Sequence, residues 1–341
     1  MPASPRRVRA VVLLGVAAAI AGMALLLQQL AGGRRDAPAL VYGRPIDRED
    51  VPTLSPARAP GDVGERALRH CEALVGFGPR HFGRPGWSRQ LTYIVDQLRA
   101  QGVEAARDTW TDRRERITFS NLRATIPGRR PERIVLACHH DTKCTSGHPH
   151  PHQNFPFVGA NDGASGVGLL LALVPALLAR DGEATVELVF FDGEESLDFD
   201  WNEARALFGS RRYVARHLEA RAGGAEPPIV AVVLLDMVGR AELHIQEELY
   251  STPALRRLCW AAASACGHEG AFFRVAEGAQ DDHAPFLLAG IPAVDLIDLR
   301  GNPYWHTPLD TLETLSATSL QTVADVVLTM LPAIDAQFLP N

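Results

Sequence analysis

Four short stretches of this chain, 133–137, 186–191, 229–235 and 293–297, are near-continuous apolar runs rich in β-branched and aromatic side chains. A strand of that kind has no polar face to turn to water and must be buried on both sides, as in a parallel sheet covered by helices. Stretches with helical character at 89–101, 164–178, 204–217, 253–265 and 319–338 alternate with them, and the chain has no internal repeat. The alternation predicts an α/β fold: a single-domain mixed, mostly parallel twisted sheet covered by helices on both faces. Polar residues follow the runs at once: His139-His140-Asp141 after the first, Asp192-Gly193-Glu194-Glu195 after the second and Asp236 after the third. In open α/β sheets the ligand crevice lies beyond the carboxyl ends of the strands, so these groups are expected to converge.

The chain has 341 residues and a formal net charge of −6, without the basic face that nucleic acid would require, so DNA and RNA are excluded as partners. At the N-terminus, Arg6, Arg7 and Arg9 precede the uncharged apolar run 10–27, and no small-residue cleavage site follows it. About 18 apolar residues reach the lower limit for a spanning helix. We expect a signal-anchor or transmembrane segment over 1–33, a linker rich in Pro, Arg and Asp over 34–61 and a catalytic domain over 62–341. The basic flank keeps the N-terminus cytoplasmic and places the domain on the periplasmic side, or releases it if the segment is cleaved. Five cysteines are too sparse for a disulfide framework. Cys138 and Cys144 either pair or remain free thiols.

The chemistry is carried by His139, Asp162 in Gly-Ala-Asn-Asp-Gly-Ala-Ser, Glu195 in Asp-Gly-Glu-Glu, Asp236 in Leu-Leu-Asp-Met-Val-Gly and His306 in Trp-His-Thr. Each alone is more often a satisfied polar residue than a ligand. Their joint occurrence in this order reverses that weighting. The run His148-Pro-His150-Pro-His152 reads as a solvated loop.

Together these motifs resemble the M28 zinc peptidase-like superfamily over roughly residues 65–335, and within it the glutaminyl cyclase branch. In the aminopeptidase members two zinc ions are bridged by the aspartate matching Asp162, with counterparts of His139 and Asp236 on one side and of Glu195 and His306 on the other. Trp305 before His306, Asp281 in Gln280-Asp281-Asp282-His283, and Trp201 six residues after Glu195 resemble cyclase pocket positions and favour that branch. Trp201 is one residue farther from Glu195 than in animal cyclases, Gly301 replaces an aromatic, and the animal disulfide partner of Cys138 has no counterpart.

The resemblance implies one Zn2+ per chain on Asp162, Glu195 and His306. Two carboxylates and one imidazole leave a fourth position open, as catalytic zinc requires. It implies Glu194, Asp236 and Asp281 as catalytic groups and Trp201, Gln280 and Trp305 as substrate-binding groups. The expected reaction is closure of an N-terminal glutamine of a peptide or protein to pyroglutamate with loss of ammonia, by a monomer tethered to the membrane through its N-terminal helix. The alternative is an M28-type zinc aminopeptidase.

Overall fold

The computed structural model describes residues 39–340, and the chain forms one compact unit from Leu40 onwards. The expected anchor over 1–33 lies outside the described residues. In chain order the elements are α1 (Val63–Val75), α2 (Pro85–Ala100), β1 (Ala105–Thr111), β2 (Thr118–Ile126), β3 (Arg130–His139), α3 (Ala164–Leu178), β4 (Ala184–Phe191), α4 (Phe208–Ala222), β5 (Ile229–Asp236), β6 (Ile245–Glu248), α5 (Pro253–Cys266), β7 (Phe272–Glu277), α6 (Ala284–Leu288), β8 (Ala293–Ile297) and α7 (Ala317–Phe338). The main sheet runs in the order β1-β2-β4-β3-β5-β8; β4, β3, β5 and β8 are mutually parallel, and β1 and β2 form an antiparallel hairpin on the β4 edge. A short second sheet pairs β6 with β7.

Successive side chains of a strand point to opposite faces, and the central strands use both. Ile134, Leu136, Leu188, Phe190, Val233 and Leu235 face a large core shared with α1, α3, α5 and α7. Val135, Ala137, Val189, Phe191, Val232 and Leu234 face a smaller one beneath α4 and α6, built on Tyr213, Val214 and Phe286. Covering both faces explains why the sequence runs are apolar throughout rather than alternating. Helix α3 is apolar on every side because it is enclosed. A Cβ on Gly166 would stand 2.5 Å from the Leu235 carbonyl oxygen, and one on Gly168 2.6 Å from that of Ala67, so glycine lets the helix press against β5 and α1.

The mostly parallel α/β sheet is as expected, with local differences. The helix expected over 204–217 is Phe208–Ala222, preceded by a single 3-10 turn at Glu203–Arg205. Helices α1 and α6 and strands β1, β2, β6 and β7 went unpredicted. Residues 40–61, expected to be a linker, lie instead against the domain. Gly43 donates to the Leu249 carbonyl (2.7 Å), Ile46 to Glu247 Oε1 (2.6 Å), Ala57 to Thr329 Oγ1 (2.9 Å) and Ala59 to Asp325 Oδ1 (2.9 Å). Arg48 sits over the Trp260 ring at 4.0 Å. A segment without a regular ladder must find other acceptors for its N–H groups, and here the domain's side chains supply them. Helix α7 is long and apolar enough to span a membrane, yet 67% of that stretch is buried, which makes it a core helix. All five cysteines are free thiols, so Cys138 and Cys144 are not bridged.

Candidate active site

The carboxyl ends of β3, β4 and β5 deliver His139, the Asp192–Glu195 turn and Asp236 to one place, as the strand-end pattern implied. Asp162 arrives on the tight loop that precedes α3, between Gly159 (φ 51°) and Gly163 (φ 94°). A Cβ at Gly159 would lie 2.2 Å from the Asp162 carbonyl oxygen, so only glycine permits this turn. His306 lies in the loop ahead of α7 with φ 53°, and Met237, directly after Asp236, has φ 50°. Side chains of this size rarely adopt the left-handed region, and such strain tends to collect where the surrounding structure must aim a functional group.

Among the described residues three groups of side chains could each hold a cation; Asp162 belongs to two of them, and the third is Asp281, His283 and Asp295. His306 Nε2 lies 3.2 Å from Glu195 Oε2 and 3.4 Å from Asp162 Oδ2. His139 Nε2 lies 3.2 Å from Asp162 Oδ1 and 3.1 Å from Asp236 Oδ1. Within each of the three groups the potential ligand atoms fall within 4.8 Å of one another. Asp162 Oδ2 is buried with no hydrogen-bond donor.

The protonation pattern points the same way. Burial pulls the His306 imidazole down, but the Glu195 charge and the contact with Asp162 outweigh it and raise the group to about 9. Burial likewise opposes His139, yet Asp141, Asp162 and Asp236 hold it well above the usual histidine range. Burial raises Asp162, but His139 and His306 more than reverse this and hold it below the ordinary carboxylate range. Protons on two imidazoles are thus balancing an excess of buried negative charge. A divalent cation can displace such protons, since ligand imidazoles bind metal only in the neutral form. The donor set therefore fits a metal.

Glu194 and Asp281 lie beside this centre, 8% and 3% exposed. Burial, then the charge of Asp281, pushes Glu194 well above the carboxylate range. Burial raises Asp236 to about 7, partly offset by the bond to His139. Burial also raises Asp281, offset in part by His283 and His139. At the mouth the exposed rings are Trp201 (42%) and Trp305 (45%). The Trp201 indole donates to Gln280 Oε1 at 2.6 Å, and Trp305 stacks on His306 with ring centroids 4.3 Å apart. All nine of the expected site residues thus occupy one neighbourhood. His148 and His150 do not join it: their loop is exposed, and His148 packs against Phe199 with centroids 5.2 Å apart. A cavity of about 360 Å3 between β1, β2 and α4, lined by Asp108, Arg123, Tyr213 and His217, lies away from these groups.

Several residues of the site were not assigned from sequence. Asp141 accepts from the Glu194 and Glu195 amides (3.2 and 3.4 Å) and so fixes that turn; the H-x-D spacing was its signal. Lys143, the sole lysine of the chain, is buried with Nζ 3.0 Å from the Ser196 carbonyl oxygen and 3.5 Å from Glu195 Oε2. Asp295 interrupts an apolar buried strand, which is itself an anomaly. It faces Asp281 and His283, while His283 Nε2 lies 3.1 Å from Glu248 Oε2. Both Asp295 oxygens lack a donor, and the contact with Asp281 becomes a hydrogen bond only when one carboxyl keeps a proton.

The family profile described as peptidase family M28 matches residues 121–331. A glutaminyl-peptide cyclotransferase-like protein of Bos taurus is 31% identical over 225 residues, 57% of this chain and 55% of that protein. The chain thus spans about half the length of that curated relative. The crystal structure of a glutaminyl cyclase from an Acidobacteriales bacterium is 32% identical, with a TM-score of 0.72 and coverage of 87% of this chain and 100% of that one. A Zn-dependent exopeptidase from Parabacteroides distasonis, 23% identical with a TM-score of 0.69, covers 83% of this chain and 99% of that one and shares the fold.

Proposed function

Since the chain belongs to peptidase family M28, and within it to the glutaminyl cyclases, we propose that it converts the N-terminal glutamine of peptides or proteins to pyroglutamate with release of ammonia. The observation that carries this reading is the buried carboxyl pair Glu194 and Asp281 next to the Asp162, Glu195 and His306 cluster, beneath two exposed tryptophans. Hydrolysis of a peptide bond gives Asp281 no evident task, whereas an intramolecular transfer needs a group that takes a proton and gives it back.

Asp162, Glu195 and His306 would hold one zinc ion per chain, which supplies Lewis-acid polarisation of the γ-carboxamide carbonyl. His139 and Asp236, already bonded to each other, would stay outside that set. Nucleophile and electrophile belong to the same residue, so the pocket needs only to hold the near-attack conformer. Glu194 accepts a proton from the attacking α-amine as the ring C–N bond forms, and returns it to the departing nitrogen as ammonia leaves. Asp281 crowds Glu194 with like charge and raises its proton affinity for a two-way transfer. The Trp305 indole N–H donates to oxygen as negative charge builds there, and Trp201 and Gln280 flank the remainder of the peptide.

The enzyme would act as a monomer tethered by its N-terminal segment, with 34–39 as the tether and the domain on the periplasmic side. The basic cluster ahead of the apolar run 10–27 supports this orientation.

Incubating the purified chain with Gln-peptides and Leu-peptides tests the reading. Ammonia with an otherwise intact peptide is the expected product; release of free amino acid would make it an aminopeptidase.

Trp305→Ala is expected to lower kcat by about 10²–10³-fold, the usual effect of losing one donor to a developing oxyanion, while scarcely moving the melting temperature. A ring that is 45% exposed fills little core, so its removal leaves no large cavity. A variant with strongly reduced melting temperature but normal turnover would return Trp305 to a packing role.

A further inference from the structure

The loop bearing Asp162 is gripped from two sides by residues of opposite charge. Arg80, fully buried in the segment between α1 and α2, directs its guanidinium to the carbonyl oxygens of Val158 and Gly159, the latter at 2.8 Å. Asp310, 2% exposed in the loop before α7, accepts from the amides of Asn161 (2.7 Å) and Asp162 (3.0 Å). The cation therefore takes carbonyls at one end of the turn and the anion takes N–H groups at the other. Neither residue reaches the reacting centre itself.

Arg80 is in turn held in place. Its amide donates to Thr142 Oγ1 (2.9 Å), and its carbonyl oxygen accepts from Gln90 Nε2 (3.1 Å), which also contacts His140 Nδ1 (2.8 Å). It lies outside the span matched by the family profile, 121–331. A glycine-flanked turn costs more backbone entropy to order than other sequences, so without such partners its ligand carboxylate would sample many positions.

Resting on the metal reading above, we propose that Arg80 and Asp310 are positioning residues that preorganise Asp162 and thereby set zinc affinity. Groups that orient a ligand typically change metal affinity by about 10–100-fold when removed.

The test is a zinc titration of the metal-stripped full chain against a competing chelator, alongside the melting temperature of each metal-free protein. Arg80→Met removes the side-chain donor to the Val158 carbonyl and one of the two donors to that of Gly159, which keeps the Ala164 amide, and is the variant at risk of misfolding, so Arg80→Lys and Asp310→Asn carry the test. Both are expected to fold, by near-UV circular dichroism, and to bind zinc about 10–100-fold more weakly than wild type, with Arg80→Lys nearer to wild type than Arg80→Met. The control is Val323→Ala, a fully buried core position of α7; it should melt earlier yet bind zinc as wild type does. Folded Arg80→Lys and Asp310→Asn proteins with wild-type zinc affinity would overturn the clamp alone, as would an equal loss of affinity in Val323→Ala. A wild-type chain that takes up no zinc overturns the metal reading and the clamp with it.

Discussion

Glu194→Gln is expected to fold, to bind zinc at wild-type stoichiometry and to turn over at least ~10²-fold more slowly, in the range that loss of a general base causes. Glutamine has nearly the same shape but accepts no proton at working pH, so the loss should fall on kcat rather than on substrate binding. The variant should also be no less stable than wild type. The carboxylate it replaces is buried and repelled by Asp281, two effects that already disfavour its charged form. Since the unprotonated carboxylate is the form that accepts the amine proton, wild-type activity should decline as pH falls through the raised Glu194 pKa. Asp281→Asn should move that acidic limb to lower pH by removing the like charge. Zinc content, kcat and the pH profile of kcat/KM decide the matter, and near-wild-type turnover in Glu194→Gln would remove the residue from the role.

His306→Ala should abolish both zinc retention and activity. His306 is the only imidazole in the Asp162, Glu195 and His306 group, and its loss leaves two carboxylates, too few to hold a catalytic zinc. Because Glu195 and Asp162 raise His306 to about 9, the metal-free variant loses a stabilising buried pairing and should melt below metal-free wild type near neutral pH. The discriminating measurement is the rise in melting temperature on adding zinc, which a ligand that binds only the folded state must produce. It should be large in wild type and absent in the variant. Full zinc occupancy in His306→Ala would sink the assignment.

The covered parallel sheet was legible because its cause is local: an apolar run without a polar face must be enclosed on every side, and runs as short as 133–137 or 293–297 are of strand length. The helix over Ala164–Leu178 was legible to the residue for the same reason. Strands β1 and β2 were not. They lie on the antiparallel edge, where β1 alternates between exposed and half-buried positions and its sequence, Ala-Ala-Arg-Asp-Thr-Trp-Thr, has too little apolar signal to declare itself. Residues 40–61 were misread as linker because their order comes from Glu247, Thr329 and Asp325, more than 200 positions away. No periodicity within the segment could reveal those partners.

The same division runs through the active site. Strand-end polarity and the order of a few motifs were enough to single out His139, Asp162, Glu194, Glu195, Asp236 and His306, because each chemistry demands a particular side chain and the sheet places strand ends together, whereas Asp281 came only through the resemblance to the glutaminyl cyclases. Only the tertiary structure decided which carboxylates crowd one another, since desolvation and charge repulsion depend on distances of a few ångströms that sequence separation does not encode. It likewise decided that Arg80 and Asp310, far apart in sequence, both bond the backbone of the loop that carries Asp162. Their partners are peptide groups, and peptide groups are the same at every position of the sequence.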